Sequence, residues 1–503
     1  MNITSRYFSL HSYKNSIKIS RKLRNIRSSS TTTSLDGNKQ SNHQREGIGL
    51  PKGYANSNIR YVLDRNGMAH SGLPNFHKPY KVLGIETSCD DTGVAIVTSD
   101  GNILSSKIIS QHEIHENFGG VFPSLAMEAH KSNIDQAIND ALTEANISSI
   151  NEIDAIGFTK GPGLEICLRV GCRKAQELAK EYNLPLIATH HLEAHCLIAR
   201  LAGLRITANE DGRFSENEII NQEKEHKNNI LHHFIPKIEF PFMALLASGG
   251  HTSLLICRDL GEYDVLGGTL DDALGESFDK CARLVGIRTG AGGGAAVEQM
   301  ARQGDPKAFP LKVPMRNKHN CDFSYAGLKN AFRLAVQSAR RNEGLDEDVT
   351  NAPSSQGEQI TDAVVLPENV QADLCASFQH TAFSHVEDRL TRALDYVEKE
   401  GLSIGCLVVV GGVASNLELR RRLLGLLESR LENSACKKRM DLVFPPLKLC
   451  TDNGVMPAWA AIEKLALGLS DNIEEQEVIA RWPLGLPVTE ADGSKKEFKR
   501  TKR

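Results

Sequence analysis

KVLGIETSCDDTGVAIVTSDGNIL, residues 81–104, joins an apolar strand at Val82–Ile85 to a second at Val94–Val97 through a polar turn carrying Glu86, Asp90 and Asp91. Short apolar runs bounded by turn residues read as buried strands. The design recurs in FMALLASGGHTSLLICRD, residues 242–259, as a strand to Ala247, the tight turn Ser248-Gly249-Gly250-His251, and a returning strand through Ile256. Each copy is followed by further strand and helix patterns: IDAIGFTKGPG (153–163) after the first and LVVVGGVASNLELRRRLLGLL (407–427) after the second. A duplicated strand–turn–strand unit with such continuations predicts an α/β protein of two lobes facing each other across a cleft.

Composition narrows the function classes. With 503 residues, 40% of them apolar and 24% charged, the chain is long enough for two to three domains' worth of core. A net charge of −3 supplies no global basic field, so contact with nucleic acid has to come from a local patch. No apolar run reaches the length that spans a bilayer, which removes membrane-spanning roles. The 11 Cys include no C-x-x-C and sit mostly in apolar contexts, so they read as buried thiols of a reducing compartment.

Residues 1–35 contain seven Lys or Arg, many Ser and Thr and no Asp or Glu, the composition of a mitochondrial transit peptide. Residues 36–79 read as flexible linker, 80–205 as an N-terminal lobe, and 237–446 as a C-terminal lobe, with 447–490 returning to the first lobe. Two polar stretches, 206–236 and about 340–369, read as surface insertions, and His226, His232 and His233 within the first as solvated rather than ligating. Residues 491–503 form a basic tail that is either solvated charge or a phosphate contact.

Glycine-rich turns let backbone N–H groups approach phosphate or carboxylate oxygens. Four occur at element ends: Gly161-Pro162-Gly163, Ser248–His251, Gly292-Gly293-Gly294 and Gly411-Gly412, the last running into Asn416 and a helix. In THHLEAHCLIARLAG (189–203), His191 and His195 lie on one helix face while His190 points elsewhere. The pair needs a third ligand. Asp452 stands at the start of an apolar-periodic helix, where it is either a plain N-cap or a ligand. Asp279, mid-helix, either faces solvent or a partner. Glu193 is misplaced for a zincin base, since H-L-E-A-H puts it on the side away from the ring pair. His130 and Glu86 are cleft candidates for which buried, hydrogen-bonded roles are the plainer reading.

These residues carry a resemblance. GIETSCDDTGVAIV (84–97), FPSLAMEAH (122–130), GPGLEICLRVG (161–171), HHLEAH (190–195), ASGGHTSLL (247–255), GESFDKCARLVG (275–286), DFSYAGLKNAF (322–332), VVGGVASNLELR (409–420), CTDNGVMPAWA (450–460) and ARWPLG (480–485) stand in the order found in the tRNA N6-adenosine threonylcarbamoyltransferase family, once called O-sialoglycoprotein endopeptidases. The chain resembles its mitochondrial branch. The resemblance implies the two-lobed fold of actin, sugar kinases and the Hsp70 ATPase, and one divalent cation per subunit, iron or zinc-like, on His191, His195 and Asp452. It implies transfer of a threonylcarbamoyl group from L-threonylcarbamoyl adenylate, made by a separate synthase, to N6 of adenosine 37 in tRNAs reading codons that begin with A, with release of AMP. Contacts to the adenylate carry over to Ala247, Ser248, Gly249, Gly250, His251, Asp279, Gly294 and Asn416. RTGAGGGAAVE (288–298) departs from the family's Y-P-G-G-P and is one residue longer, so counting forward from Asp279 selects Gly292 instead of Gly294. A homodimer in the mitochondrial matrix is the expected assembly, and no general base is assignable. Two rivals are a kinase of the same fold, using an acidic turn residue as base, and a non-catalytic tRNA-binding scaffold.

Overall fold

The computed structural model describes residues 78–116, 121–202, 204–206, 238–287, 292–345, 366–433, 439–489 and 496. The expected leader, the linker up to residue 77, the bulk of both insertions and the basic tail apart from Lys496 lie outside the described residues. The helices that flank the second insertion run into its expected span at both ends, to Asn342 and from Glu368.

Two sheets organise the chain. The first comprises β1 (Lys81–Glu86), β2 (Thr92–Thr98), β3 (Ile103–Ile109), β4 (Ala155–Gly161) and β5 (Leu186–His190), in the order β3-β2-β1-β4-β5. β1 to β3 form an antiparallel meander, and β4 and β5 add in parallel. The second repeats that plan with β7 (Phe242–Ala247), β8 (Thr252–Asp259), β9 (Glu262–Gly268), β10 (Cys406–Val410) and β11 (Asp441–Phe444), and adds β6 (Leu204–Ile206) and β12 (Leu486–Pro487) at its two edges. The duplication therefore covers five strands, two more than the periodicity showed. The third strand of each meander is only partly buried, so its apolar alternation is weak.

The helices are α1 (His112–Glu116), α2 (Pro123–Glu144), α3 (Glu165–Glu181), α4 (His191–Ala202), α5 (Leu274–Val285), α6 (Gly293–Ala301), α7 (Ala326–Asn342), α8 (Glu368–Lys399), α9 (Leu417–Asn433) and α10 (Val455–Ala466). Strand alternation sorts the core into layers. Leu83, Ile85, Val94 and Ile96 pack outward with α2 and α3. Val82, Ala95 and Val97 of the first sheet face inward, as do Phe242, Ala244, Leu246, Val408 and Val410 of the second, and all enclose α4 and α10. Met243, Leu245, Leu254, Ile256, Leu407 and Val409 face the other way, onto α5 through α9. The result is the two-lobed α/β architecture that the resemblance implies.

The middle layer crosses over. α4 follows the last strand of the first sheet and packs both on β4 and β5 of that sheet and on β7 and β10 of the second, whereas α10 follows the second sheet and packs on β1, β2, β4 and β5 and on α4. Close approach of α10 depends on Gly84, where a Cβ would lie 2.1 Å from the Gly454 carbonyl oxygen. The crossing brings the start of α4 and the start of α10 to the same place between the lobes.

Candidate metal centre

Both helix starts carry the chemistry. His191 opens α4 directly after β5, and His195 follows one turn later, so the two imidazoles share a face with ring centroids 4.7 Å apart and planes at 84°. Asp452 arrives from the turn before α10. One of its carboxylate oxygens lies 3.1 Å from His195 Nε2 and 3.7 Å from His191 Nε2. Among the described residues these three form the one group whose donor atoms, one per side chain, converge within 4.8 Å. Two imidazoles and one carboxylate with further positions open is a donor set that suits zinc or iron.

The N-cap alternative for Asp452 fails on geometry. The backbone N–H groups of Val455 and Met456 donate to the Asn453 side chain at 2.9 and 3.2 Å, so Asn453 caps α10 and the Asp452 carboxylate faces the histidines.

Glu86 orients the first imidazole. Its carboxylate is 1% exposed and accepts the Ser88 N–H at 2.7 Å and the Thr159 hydroxyl at 2.5 Å. His191 Nδ1 stands 3.3 Å from the same carboxylate, which favours the tautomer with the proton on Nδ1 and the Nε2 lone pair turned to Asp452. Burial opposes charge on His191, but the carboxylates of Asp452 and Glu86 outweigh it and raise its pKa to about 9. Burial likewise works against charge on Asp452, yet His191 and His195 hold its pKa well below the usual carboxylate range. Two carboxylates that keep a buried imidazolium charged favour positive charge at this point, and a divalent cation would displace that proton. His195 turns Nε2 to the same carboxylate oxygen, while its Nδ1 is buried without a hydrogen-bond partner. The sequence reading of Glu86 as a buried, hydrogen-bonded cleft residue agrees with these contacts, but nothing in the chain order reveals that β1 ends beside α4 and that His191 is one of its partners. Its commitment to three partners also removes it as the free base that a kinase would need.

Neighbouring candidates are structural. His190 Nε2 donates to the Trp482 carbonyl at 3.0 Å while Nδ1 accepts the N–H groups of Leu192 and Glu193, so burial holds it neutral with a pKa of about 3 and it caps α4. His130 is bonded at both nitrogens, to the Thr92 hydroxyl and the Cys89 carbonyl. Glu193 accepts from the Gly261 N–H and the Tyr263 hydroxyl and pairs with Lys464, on the opposite side of α4 from the ring pair.

Two of the four glycine turns meet on the second lobe. β7 and β10 run parallel, and the turns after their carboxyl ends touch: a Cβ at Gly411 would meet the Ala247 carbonyl oxygen at 2.4 Å. Ala247 is buried, whereas Gly249 and Gly250 are exposed and have no atom within 4 Å of a built Cβ. His251 sits close enough to the triad that burial, His191 and His195 push its pKa down to about 4. Asp279 is neither solvated nor free: burial raises its pKa, and its carboxylate accepts the N–H groups of Gly293 and Gly294 at the start of α6. Gly292 has φ +93°, a conformation that favours glycine. Asn416 is 5% exposed, donates to Gln379 at 3.0 Å and accepts the Leu419 N–H at 3.0 Å, which makes it the cap of α9 as well as a candidate ligand contact. Cys89 is half-buried and the other nine described cysteines are buried, and all ten are free thiols.

Comparison with known proteins identifies the family. Residues 102–217 and 219–459 match the family described as TsaD, tRNA N6-adenosine threonylcarbamoyltransferase. The chain is 40% identical over 428 residues to a probable mitochondrial tRNA N6-adenosine threonylcarbamoyltransferase of Arabidopsis thaliana, covering 84% of this chain and 78% of that protein. It is 39% identical over 411 residues to the enzyme of Rhizobium etli, covering 80% and 94%. A mitochondrial relative from Xenopus tropicalis is 36% identical over 447 residues, covering 87% and 95%. Matches of this extent, laid over a duplicated α/β fold whose crossing helices bring two histidines and an aspartate together, mean that the chain belongs to the tRNA N6-adenosine threonylcarbamoyltransferase family.

Proposed function

We propose that this protein is a mitochondrial tRNA N6-adenosine threonylcarbamoyltransferase that takes its acyl group from L-threonylcarbamoyl adenylate, supplied by a separate synthase, and modifies adenosine 37 of tRNAs reading codons that begin with A. Family membership over most of the chain carries the acyltransferase activity, and the mitochondrial names of two relatives agree with the acid-free basic leader. His191, His195 and Asp452 hold one divalent cation, and the convergence of their donor atoms is the observation that supports this. A cation bound there supplies a Lewis acid for oxygens of the donor.

The chain's own residues do the rest. Glu86 fixes the His191 ring through Nδ1. The open turn at Gly249 and Gly250 leaves room for the adenylate to approach the backbone, and Asp279, Gly294 and Asn416 line the rim beyond it. The exocyclic amine attacks the carbamoyl carbon, the bond from that carbon to the phosphate oxygen breaks, AMP leaves, and the amine loses one proton. That amine is a weak nucleophile, so positioning and leaving-group stabilisation outweigh base catalysis. The working unit is a homodimer.

Single-turnover transfer from synthetic threonylcarbamoyl adenylate to a tRNA transcript tests the reading. Product should form in proportion to enzyme and vanish when adenosine 37 is replaced by guanosine. ATP-dependent phosphorylation without transfer would instead select the kinase, and tRNA binding without turnover the scaffold.

A further inference from the structure

The ARWPLG motif has no role in the chemistry above. Its residues form part of a strap that leaves α10, runs along the first sheet and ends on the second. Ile479 N–H donates to the Lys160 carbonyl, Gly163 N–H donates to the Ala480 carbonyl, His190 holds the Trp482 carbonyl, and β12 pairs with β9. The strap closes one side of a cavity of about 420 Å³ between the lobes. That size is in the range of sites for small organic ligands, about 300–1,000 Å³.

The cavity is a built site next to the reacting centre. Leu192, Leu246, Leu255 and Pro162 supply apolar walls, and His251, which ends the glycine turn and feels the charges of the triad, reaches its inner side together with Ser253. Trp482 lines it, half-buried, with its ring 4.6 Å from the His190 ring. Arg481 stands exposed at the rim. Apolar walls, an aromatic face and a cation at the mouth are the elements with which proteins hold an unstacked base of an RNA loop, the base on the ring and the flanking phosphate on the arginine.

We infer that this cavity receives the acceptor adenine, with Trp482 as its stacking platform and Arg481 on an adjacent phosphate, a role that rests on the transferase reading. The donor occupies the glycine turns of the second lobe, and the acceptor enters from the strap side, so the two meet at His251 and the triad. Trp482 is a positioning residue. Its main chain is anchored by its own backbone carbonyl and by the β12 pairing beyond it, and its ring rests against the buried His190 ring.

The test pairs protein and RNA changes, using the full chain and an anticodon stem-loop carrying either adenine or an abasic sugar at the acceptor position. Wild type should bind the adenine form about tenfold or more tightly than the abasic form, a base-stacking effect. Trp482→Ala should erase that preference and raise the half-saturating tRNA concentration in single-turnover transfer by a similar factor, with half-saturation by the donor unchanged. Trp482→Phe should restore most of both. Arg481→Gln should weaken both RNA forms alike and flatten the salt dependence. A base preference that survives Trp482→Ala overturns the inference. So does a shift in donor saturation alone, which would put the donor's amino acid in the cavity. If Trp482→Ala does not fold, a Trp482→Leu or Arg481→Gln protein that binds and modifies RNA like wild type overturns it equally. Absence of transfer by wild type would instead remove the transferase reading, while the base-dependence of RNA binding would still decide the role of Trp482.

Discussion

The two strand–turn–strand units share a backbone plan and differ in what their turns expose. In the first, the end of β1 and the start of its turn are buried: Glu86 is 1% exposed, held by Ser88 and Thr159, and set against His191. In the second, the turn after β7 is open, with Gly249 and Gly250 exposed and clear of other atoms. One copy sets a buried carboxylate beside the three side chains that could hold a cation. The other leaves bare backbone exposed. Duplication supplied two equivalent positions facing one cleft, and residue type alone divided the labour between them.

The largest effect should come from the triad on which the first turn bears. His191→Ala, His195→Ala and Asp452→Ala should each empty the purified protein of metal and slow transfer by more than about a hundredfold. His190→Asn, which can still cap α4, should keep both, and elemental analysis beside transfer assays checks the contrast. Full metal in Asp452→Ala would detach the first turn from any cation.

Glu86→Gln sharpens the comparison further. Gln can replace the carboxylate's contacts to Ser88 and Thr159 but does not hold the His191 tautomer as firmly, so metal affinity should fall by about 10- to 100-fold while the fold persists. Competition with a chelator, read beside a melting curve, separates the two outcomes.

Alanine substitution probes the second turn. Gly249→Ala or Gly250→Ala should change stability by less than about 1 kcal/mol, since no atom meets the new Cβ, yet weaken the donor about tenfold. Gly84→Ala, whose Cβ would collide with the backbone before α10, should cost about 3 kcal/mol or more. Equal losses of stability at Gly84 and Gly249 would deny that the second turn is open.

The last effect, one of stability alone, belongs to Asp91, in the first turn, whose pKa is raised from 3.8 to about 6, chiefly by burial and then by Asp90. A carboxyl with a raised folded-state pKa contributes stability below the unfolded value, near pH 4, and loses it as pH rises through 6. Asp91→Asn should therefore stabilise the protein by up to about 3 kcal/mol at pH 8 and by nothing near pH 3.5. Melting temperatures across that range decide it, and a constant difference would show that the turn does not burden the carboxyl.

Much of this was legible in the chain. Apolar runs and their turns identified the duplicated unit, because strand alternation is a local property. Helical spacing put His191 and His195 on one face and Glu193 on the other for the same reason. Less legible were β3 and β9, whose half-buried faces blur the alternation. Asp452 was ambiguous because a cap and a ligand look alike in sequence, and only the backbone shows that Asn453 does the capping. Asn416 and Asp279 carried the opposite ambiguity: each turns out to satisfy backbone donors at a helix start.

By itself the sequence determined the α/β class, the repeat and the residue types able to bind a cation, since these depend on neighbours within a few positions. Tertiary structure decided which of those residues meet. Asp452 lies 257 positions from His195, and the pair forms because α4 and α10 pack on each other between the sheets and their starts converge. Glu86 and Trp482 take their places beside the same helix start through β1 and the strap. Periodicity says which way a side chain faces on its own element, and only the packing of distant elements says what it faces.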